Sequence, residues 1–334
     1  MTGDVMEEHY IFTTHVGSFP LNYSSEAVVR VITDLDKVGI DFLGYPQLRD
    51  FVEMYLESLV EVEAISKTKV GFKVSSWETL KSGVSEKALR VKEAEILKKM
   101  YDRKVINPLA LKGSVTGPFT LASRIYTSER HDLSSSLLSD KSVVSETLAN
   151  LVESYVKGLE ELNYGMVIID EPILSVIVGR KILFGYKEED IIQIINDVLN
   201  GVKIKYRGIH VCGRLSPLLT KMLLKLDLEV LDHEHKDVPE NLSAYSYKDL
   251  KSNEKFLGLG VVSSKSPRVE SVEEIKKLIR TGVDTFKDRL LLVKPDCGFR
   301  GLKTPGREEE MYKISLDKLR NIVSALRELE LSHV

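Results

Sequence analysis

The chain has 334 residues, of which 43% are hydrophobic and 29% charged, with a formal net charge of -3; that is enough apolar material for one elaborate barrel or two ordinary domains, and no basic excess that would favour nucleic acid as a partner. The acidic start MTGDVMEEHY has no apolar leader, and no apolar run reaches the ~18 residues of a membrane span, so a cytoplasmic protein without a membrane partner is expected. The only two cysteines, Cys212 and Cys297, cannot build a disulfide framework and serve better as ligands or nucleophiles.

In chain order, short β-branched and apolar runs predict strands at 11–16, 40–44, 109–115, 166–171, 207–212, 228–233, 256–262 and 290–296. Between them, VSETLANLVESYVKGLEEL and EEDIIQIINDVLNGV place apolar residues at i, i+3, i+4 and i+7, the stripe of a helix packed on a sheet. Strand-helix alternation repeated eight times implies a closed parallel (β/α)8 TIM barrel. Residues 45–107 are too long for one crossover and contain GFKVSSWETLKSG, which reads as an insertion after the second strand with a hairpin between helices. No Pro-, Gly- or Ser-rich linker divides the chain, so residues 1–334 are expected to form a single domain.

The C-terminal ends of barrel strands open on one face, where active sites lie. His210 and Cys212 (GIHVCG), Glu234 (LEVLDHEH) and Cys297 (LLLVKPDCG) all fall at or just past such ends, together with Asp170 (IIDEP) and Ser18 (THVGSFP). Two thiols, an imidazole and a carboxylate are what a zinc ion with one exchangeable position needs. A free thiol titrates at about 8.5, whereas a metal-bound one is deprotonated outright, so such a site activates sulfur. Two thiolates and a carboxylate outweigh the charge of zinc, and an electron-rich sphere suits alkyl transfer to sulfur better than hydrolysis. A structural zinc would show short CxxC spacing, which is absent. Plainer readings exist for other groups: the Asp170-Glu171 acids as helix caps, Ser18 as a turn residue, His15, His233 and His235 as core or supporting groups, Trp77 as packing, and the KSNEK and VKEAEILKKMYDRK runs as solvated faces.

THVGSFP, KGSVTGPFT, IIDEP, HVC, Glu234 and PDCG occur in the order and spacing of the catalytic barrel of cobalamin-independent methionine synthase, which the whole chain resembles in a short form lacking the family's N-terminal barrel. The resemblance implies zinc-dependent methyl transfer to homocysteine, with His210, Cys212, Glu234 and Cys297 as ligands, the carboxylate giving way to the substrate thiol. It implies that Asp170, the catalytic acid at the site, holds the amino group of homocysteine, and that Val16 and Ser18 hold its carboxylate end. A homocysteine-contacting Glu of the family aligns with Tyr45. On the donor side the chain departs from the family: Arg124 stands where a folate-stacking Trp belongs, Val176 where a folate-binding acid belongs, and Lys265 where a His protonates the departing folate nitrogen. A tertiary amine leaves poorly without a positioned acid, whereas a methyl-cobalt corrinoid leaves as Co(I) and needs no proton. A methylcorrinoid, free as methylcobalamin or carried by a corrinoid protein, is therefore the expected donor, and a methylated pterin the alternative. Other readings are transfer to another thiol such as coenzyme M, a partner role beside a separately encoded N-terminal-half protein, and, more remotely, porphyrin decarboxylation on the same fold.

Overall fold

A computed structural model describes residues 10–84 and 88–331. Among these residues there are eleven strands: β1 (Phe12–Thr13), β2 (Phe42–Gly44), β3 (Ile65–Lys67), β4 (Phe72–Val74), β5 (Ala110–Thr116), β6 (Ile125–Tyr126), β7 (Met166–Asp170), β8 (Tyr206–Val211), β9 (Val230–His233), β10 (Phe256–Val262) and β11 (Leu290–Pro295). Eight of them form one sheet in the order β1-β11-β10-β9-β8-β7-β5-β2, with every neighbouring pair parallel. A parallel bridge from Thr14 to Phe42 joins the two end strands and closes the (β/α)8 barrel. All eight expected strands are present. The run at 11–16 yields only a two-residue strand, because side chains do the pairing at that seam: Thr13 N and Oγ1 donate to Asp41 Oδ2 at 2.7 Å, and Thr14 Oγ1 donates to Phe42 O at 2.7 Å.

The helices lie outside the barrel with apolar faces inward. The helix Ser25–Val38 is typical: Ser24 caps its start, Gly39 ends it at φ 84°, and Val28, Val31, Ile32, Leu35 and Val38 are buried. The helical periodicity at 144–162 resolves into a π-helical turn, Val143–Leu148, running into the α-helix Ala149–Glu161, and the second predicted helix is Glu188–Leu199. None of the described helices is long and apolar enough to cross a membrane.

Within 45–107 the expected hairpin is β3-β4, antiparallel, between helices Glu53–Glu61 and Trp77–Ser82. It does not stand alone: β4 also pairs in parallel with β6, from beyond the insertion. Gly71 permits that contact, since a Cβ there would lie 2.7 Å from the carbonyl of Arg124. Two members of the supposedly solvated charge runs are buried. Glu93 receives a forked pair of hydrogen bonds from Arg49, both 2.8 Å, and Lys255 donates to the carbonyls of Leu226 and Leu228.

The strand register sets the level of the site. Thr116, Asp170, His210 and Asp232 are successive cross-strand partners from β5 to β9. Residues two apart share a strand face, so Ile168, Val230 and Leu292, which belong to a separate apolar cluster with Phe42 and Met166, lie one layer below Asp170, Asp232 and Lys294. A greasy plug thus floors a layer of buried charge.

Candidate metal centre and adjoining clefts

His210 and Cys212 are two residues apart at the end of β8 and so project to the same side. His210 Nε2 lies 2.9 Å from Cys212 Sγ, and Cys212 Sγ lies 3.1 Å from Cys297 Sγ, two residues past β11. These three donor atoms, all within 4.8 Å of one another, are the one such group among the described residues. The other imidazole nitrogen, Nδ1, is 3.0 Å from Asp232 Oδ1, and Asp232 is itself ion-paired to Lys294, whose side chain is fully buried. A carboxylate behind a ligating histidine fixes ring orientation and tautomer. Two soft thiols and an oriented imidazole fit zinc.

The electrostatics follow from this packing. Burial disfavours ionisation of Asp232, but Lys294 and His210 overcome it and hold the carboxyl below the usual range. Burial likewise works against a charged His210, yet Asp232 prevails and raises the imidazole to about 10. Between the sulfurs, the mutual hydrogen bond makes Cys297 the thiolate, further favoured by His210, and Cys212 the thiol. His15, His233 and His235 are buried and pushed down, chiefly by desolvation, so they are neutral. Their ring nitrogens face Gly44 N, Val211 O, Tyr245 OH and Gly260 N, as core groups should.

Glu234 directly follows β9 and is 1% exposed. The backbone after it hangs on Asp296, the neighbour of Cys297: Asp296 Oδ1 accepts from His235 N (2.8 Å) and Lys236 N (2.9 Å), and Oδ2 from Asp237 N (2.6 Å). Gly260 makes room for this clamp, since a Cβ there would come within 2.1 Å of Asp296 Oδ1. The Glu234 carboxylate stands outside the three-donor group, with Oε2 3.1 Å from Lys265 Nζ.

A cavity of about 240 Å³ opens onto the three donors and is also lined by Val16, Ser18, Gln47, Phe51, Asp170, Lys265 and Arg300. Asp170 is 5% exposed, and its Oδ1 is buried with no hydrogen-bond partner. Burial pushes this carboxyl up to about 7, against the pull of His210 and Lys112. The helix-capping acid is its neighbour Glu171, which accepts from Phe119 N, Thr120 N and Thr120 Oγ1. Ser18 O and Oγ accept from Phe299 N and Arg300 N, and Val16 O accepts from Ser114 Oγ, so this segment is fixed against the loop after Cys297.

Tyr45 is not brought to the cavity. Its ring is buried, with the hydroxyl 2.6 Å from Ser114 O and 2.7 Å from Tyr55 OH, because a phenol this deep needs internal partners. Gln47, two residues on, lines the cavity instead, as does Arg300, which sequence reasoning passed over although it stands three residues after Cys297. Arg124 and Val176 lie together in a second cleft of about 420 Å³ that shares Phe51 and Pro172 with the first. Arg124 Nε is buried there without a partner. Lys265, grouped with these two on sequence, lines the cavity of the three donors instead.

The sequence model of the family described as "Cobalamin-independent synthase, Catalytic domain" matches residues 21–327. Methionine synthase of Methanocaldococcus jannaschii is 29% identical over 95% of this chain and 99% of its own length, and that of Methanothermobacter thermautotrophicus 28% identical over 94% and 99%. The fold is similar to a B12-independent methionine synthase from Shewanella sp. W3-18-1 in complex with selenomethionine (TM-score 0.67, 17% identity, 96% of this chain and 99% of that one). It is also similar to a methyltransferase from Methanosarcina mazei (TM-score 0.60, 16% identity, 97% and 95%).

Proposed function

We propose that this chain, which belongs to the cobalamin-independent synthase catalytic-domain family and is a methyltransferase acting on homocysteine, binds zinc through His210, Cys212, Cys297 and an exchangeable Glu234, and takes its methyl group from a methylcorrinoid. The observation that carries the acceptor side is the unpartnered carboxylate oxygen of Asp170 in the cavity that also exposes the two thiols and His210. An α-ammonium would satisfy that oxygen, while Ser18, Val16 and Arg300 face the place for an α-carboxylate, so the amino acid's thiol is directed toward the sulfurs. Bound by these residues, zinc would supply the positive charge that keeps a substrate thiol deprotonated at neutral pH. The thiol gives up its proton to solvent, its sulfur lone pair forms the new S-CH3 bond, and the electron pair of the broken methyl bond stays with the donor.

Asp170 also argues against coenzyme M as acceptor, because a buried carboxylate would face a sulfonate with like charge. On the donor side, Arg124 and Val176 line the adjoining cleft without an acid, and Lys265 is engaged with Glu234. Support for a corrinoid is therefore that, among the described residues, the adjoining cleft is lined by Arg124 and Val176 and by no carboxylic acid or histidine that could protonate a folate nitrogen. The test incubates zinc-loaded protein with homocysteine and either methylcobalamin or a methylated pterin and follows methionine. Methionine from methylcobalamin supports the reading and also excludes a purely auxiliary subunit role beside an N-terminal-half protein. Methionine from the pterin alone overturns the corrinoid assignment.

A further inference from the structure

We propose that Lys265 is a positioning residue that holds Glu234 away from His210, Cys212 and Cys297, so that a substrate thiol takes the place this carboxylate would otherwise occupy; the inference rests on the zinc reading above. The Glu234 side chain is 2% exposed, and a carboxylate so buried needs a partner. It has one at 3.1 Å in Lys265 Nζ, and it stands outside the group formed by the three other donors. The carboxylate thus has two competing places to satisfy its charge, an ammonium and a cation at the donor group.

The two ends of the contact differ in a way that suits exchange. The base of Lys265 is fixed: its N donates to Ser263 Oγ, Ser263 Oγ donates to Asp237 Oδ2 at 2.8 Å, and Ser263 N donates to Glu270, which is ion-paired to the buried Lys318. The loop is therefore tied both to the segment after Glu234 and to the C-terminal helix. The Lys265 side chain, by contrast, is 63% exposed on a flexible stem. A hydrated ammonium holds a carboxylate weakly enough to release it. A buried lysine would trap Glu234, and an apolar residue would leave it nowhere to go but the metal.

The experiment measures zinc affinity by competition with a chromophoric chelator, and homocysteine affinity for the zinc-loaded protein by calorimetry, in wild type, Lys265→Met, Lys265→Arg, Glu234→Gln and the Glu234→Gln/Lys265→Met pair. Lys265→Met should bind zinc about tenfold more tightly, within the range by which supporting residues alter metal affinity, and homocysteine about tenfold more weakly. Lys265→Arg should restore both, and in the Glu234→Gln background the Lys265→Met effect should vanish. Unchanged or weaker zinc binding in Lys265→Met overturns the inference, as does the same change persisting without Glu234. Wild type that binds no zinc would instead overturn the underlying metal reading. Lys265 itself is largely exposed, but without it the buried Glu234 carboxylate lacks its partner until zinc binds, so both affinities are compared on variants whose zinc-loaded melting curves match wild type.

Discussion

Replacing Asp232 with Asn tests the support beneath the proposed metal centre. Asp232 and Lys294 are 1% and 0% exposed at their side chains, and Asp232 Oδ1 also holds His210 Nδ1 at 3.0 Å. The amide keeps the shape and an acceptor but removes the charge, leaving a buried ammonium among the carbonyls of His233, Pro295 and Asp296. Breaking a buried pair from one side costs about 3–5 kcal/mol, and because Asn preserves the hydrogen bonds the lower end, about 3 kcal/mol, applies. At ~2 °C per kcal/mol for a chain this long, the melting temperature should fall by ~6 °C. Zinc affinity should fall 10- to 100-fold as the imidazole loses its orienting carboxylate. Adding Lys294→Met should recover most of the stability but none of the zinc affinity. Calorimetric melting and chelator competition read the two separately. Wild-type melting and wild-type zinc affinity in Asp232→Asn would refute the view that this layer of charge supports the site.

Other outcomes follow from the same geometry. Cys297→Ser should lower bound zinc in elemental analysis and abolish turnover; full activity would reject the metal assignment. Asp170→Asn should raise the KM for homocysteine by one to two orders of magnitude, about 1.5–3 kcal/mol for a charge-assisted bond, yet leave transfer to 4-mercaptobutanoate, which lacks the amino group, nearly unchanged; equal losses on both thiols would remove Asp170 from that role. Away from the site, Arg49→Ala strands the buried Glu93 carboxylate and should destabilise the protein by about 3–5 kcal/mol, visible as a lower denaturant midpoint.

The barrel was legible because its strands are buried on both faces and read as continuous apolar runs bounded by turn residues. The gathering of His210, Cys212 and Cys297 was legible too, since strand ends share one face; that Glu234 stands outside that group was not. What stayed hidden was pairing between distant residues. Lys294 interrupts the run LLLVKPD and signals a buried cation, but nothing in the sequence points it to Asp232 on another strand. Glu234 and Lys265 are 31 residues apart, a separation with no periodicity to betray contact. Tyr45, which aligns with a homocysteine-contacting Glu, turns its hydroxyl to Ser114 and Tyr55 instead, and Gln47, two residues on, lines the cavity. The strand β6 escaped because two residues carry no pattern, and Glu93 and Lys255 looked solvated because charge alone does not reveal a buried partner.

The clamp at Asp296 has a kinetic corollary. Because three successive backbone amides after Glu234 are held by the residue beside Cys297, the main chain carrying these two side chains behaves as one rigid body. Any change of partner by the Glu234 carboxylate must then come from rotation about its own side-chain torsions. No rearrangement of a loop or lid, with its microsecond-to-millisecond timescale, is then needed for that carboxylate to change partner.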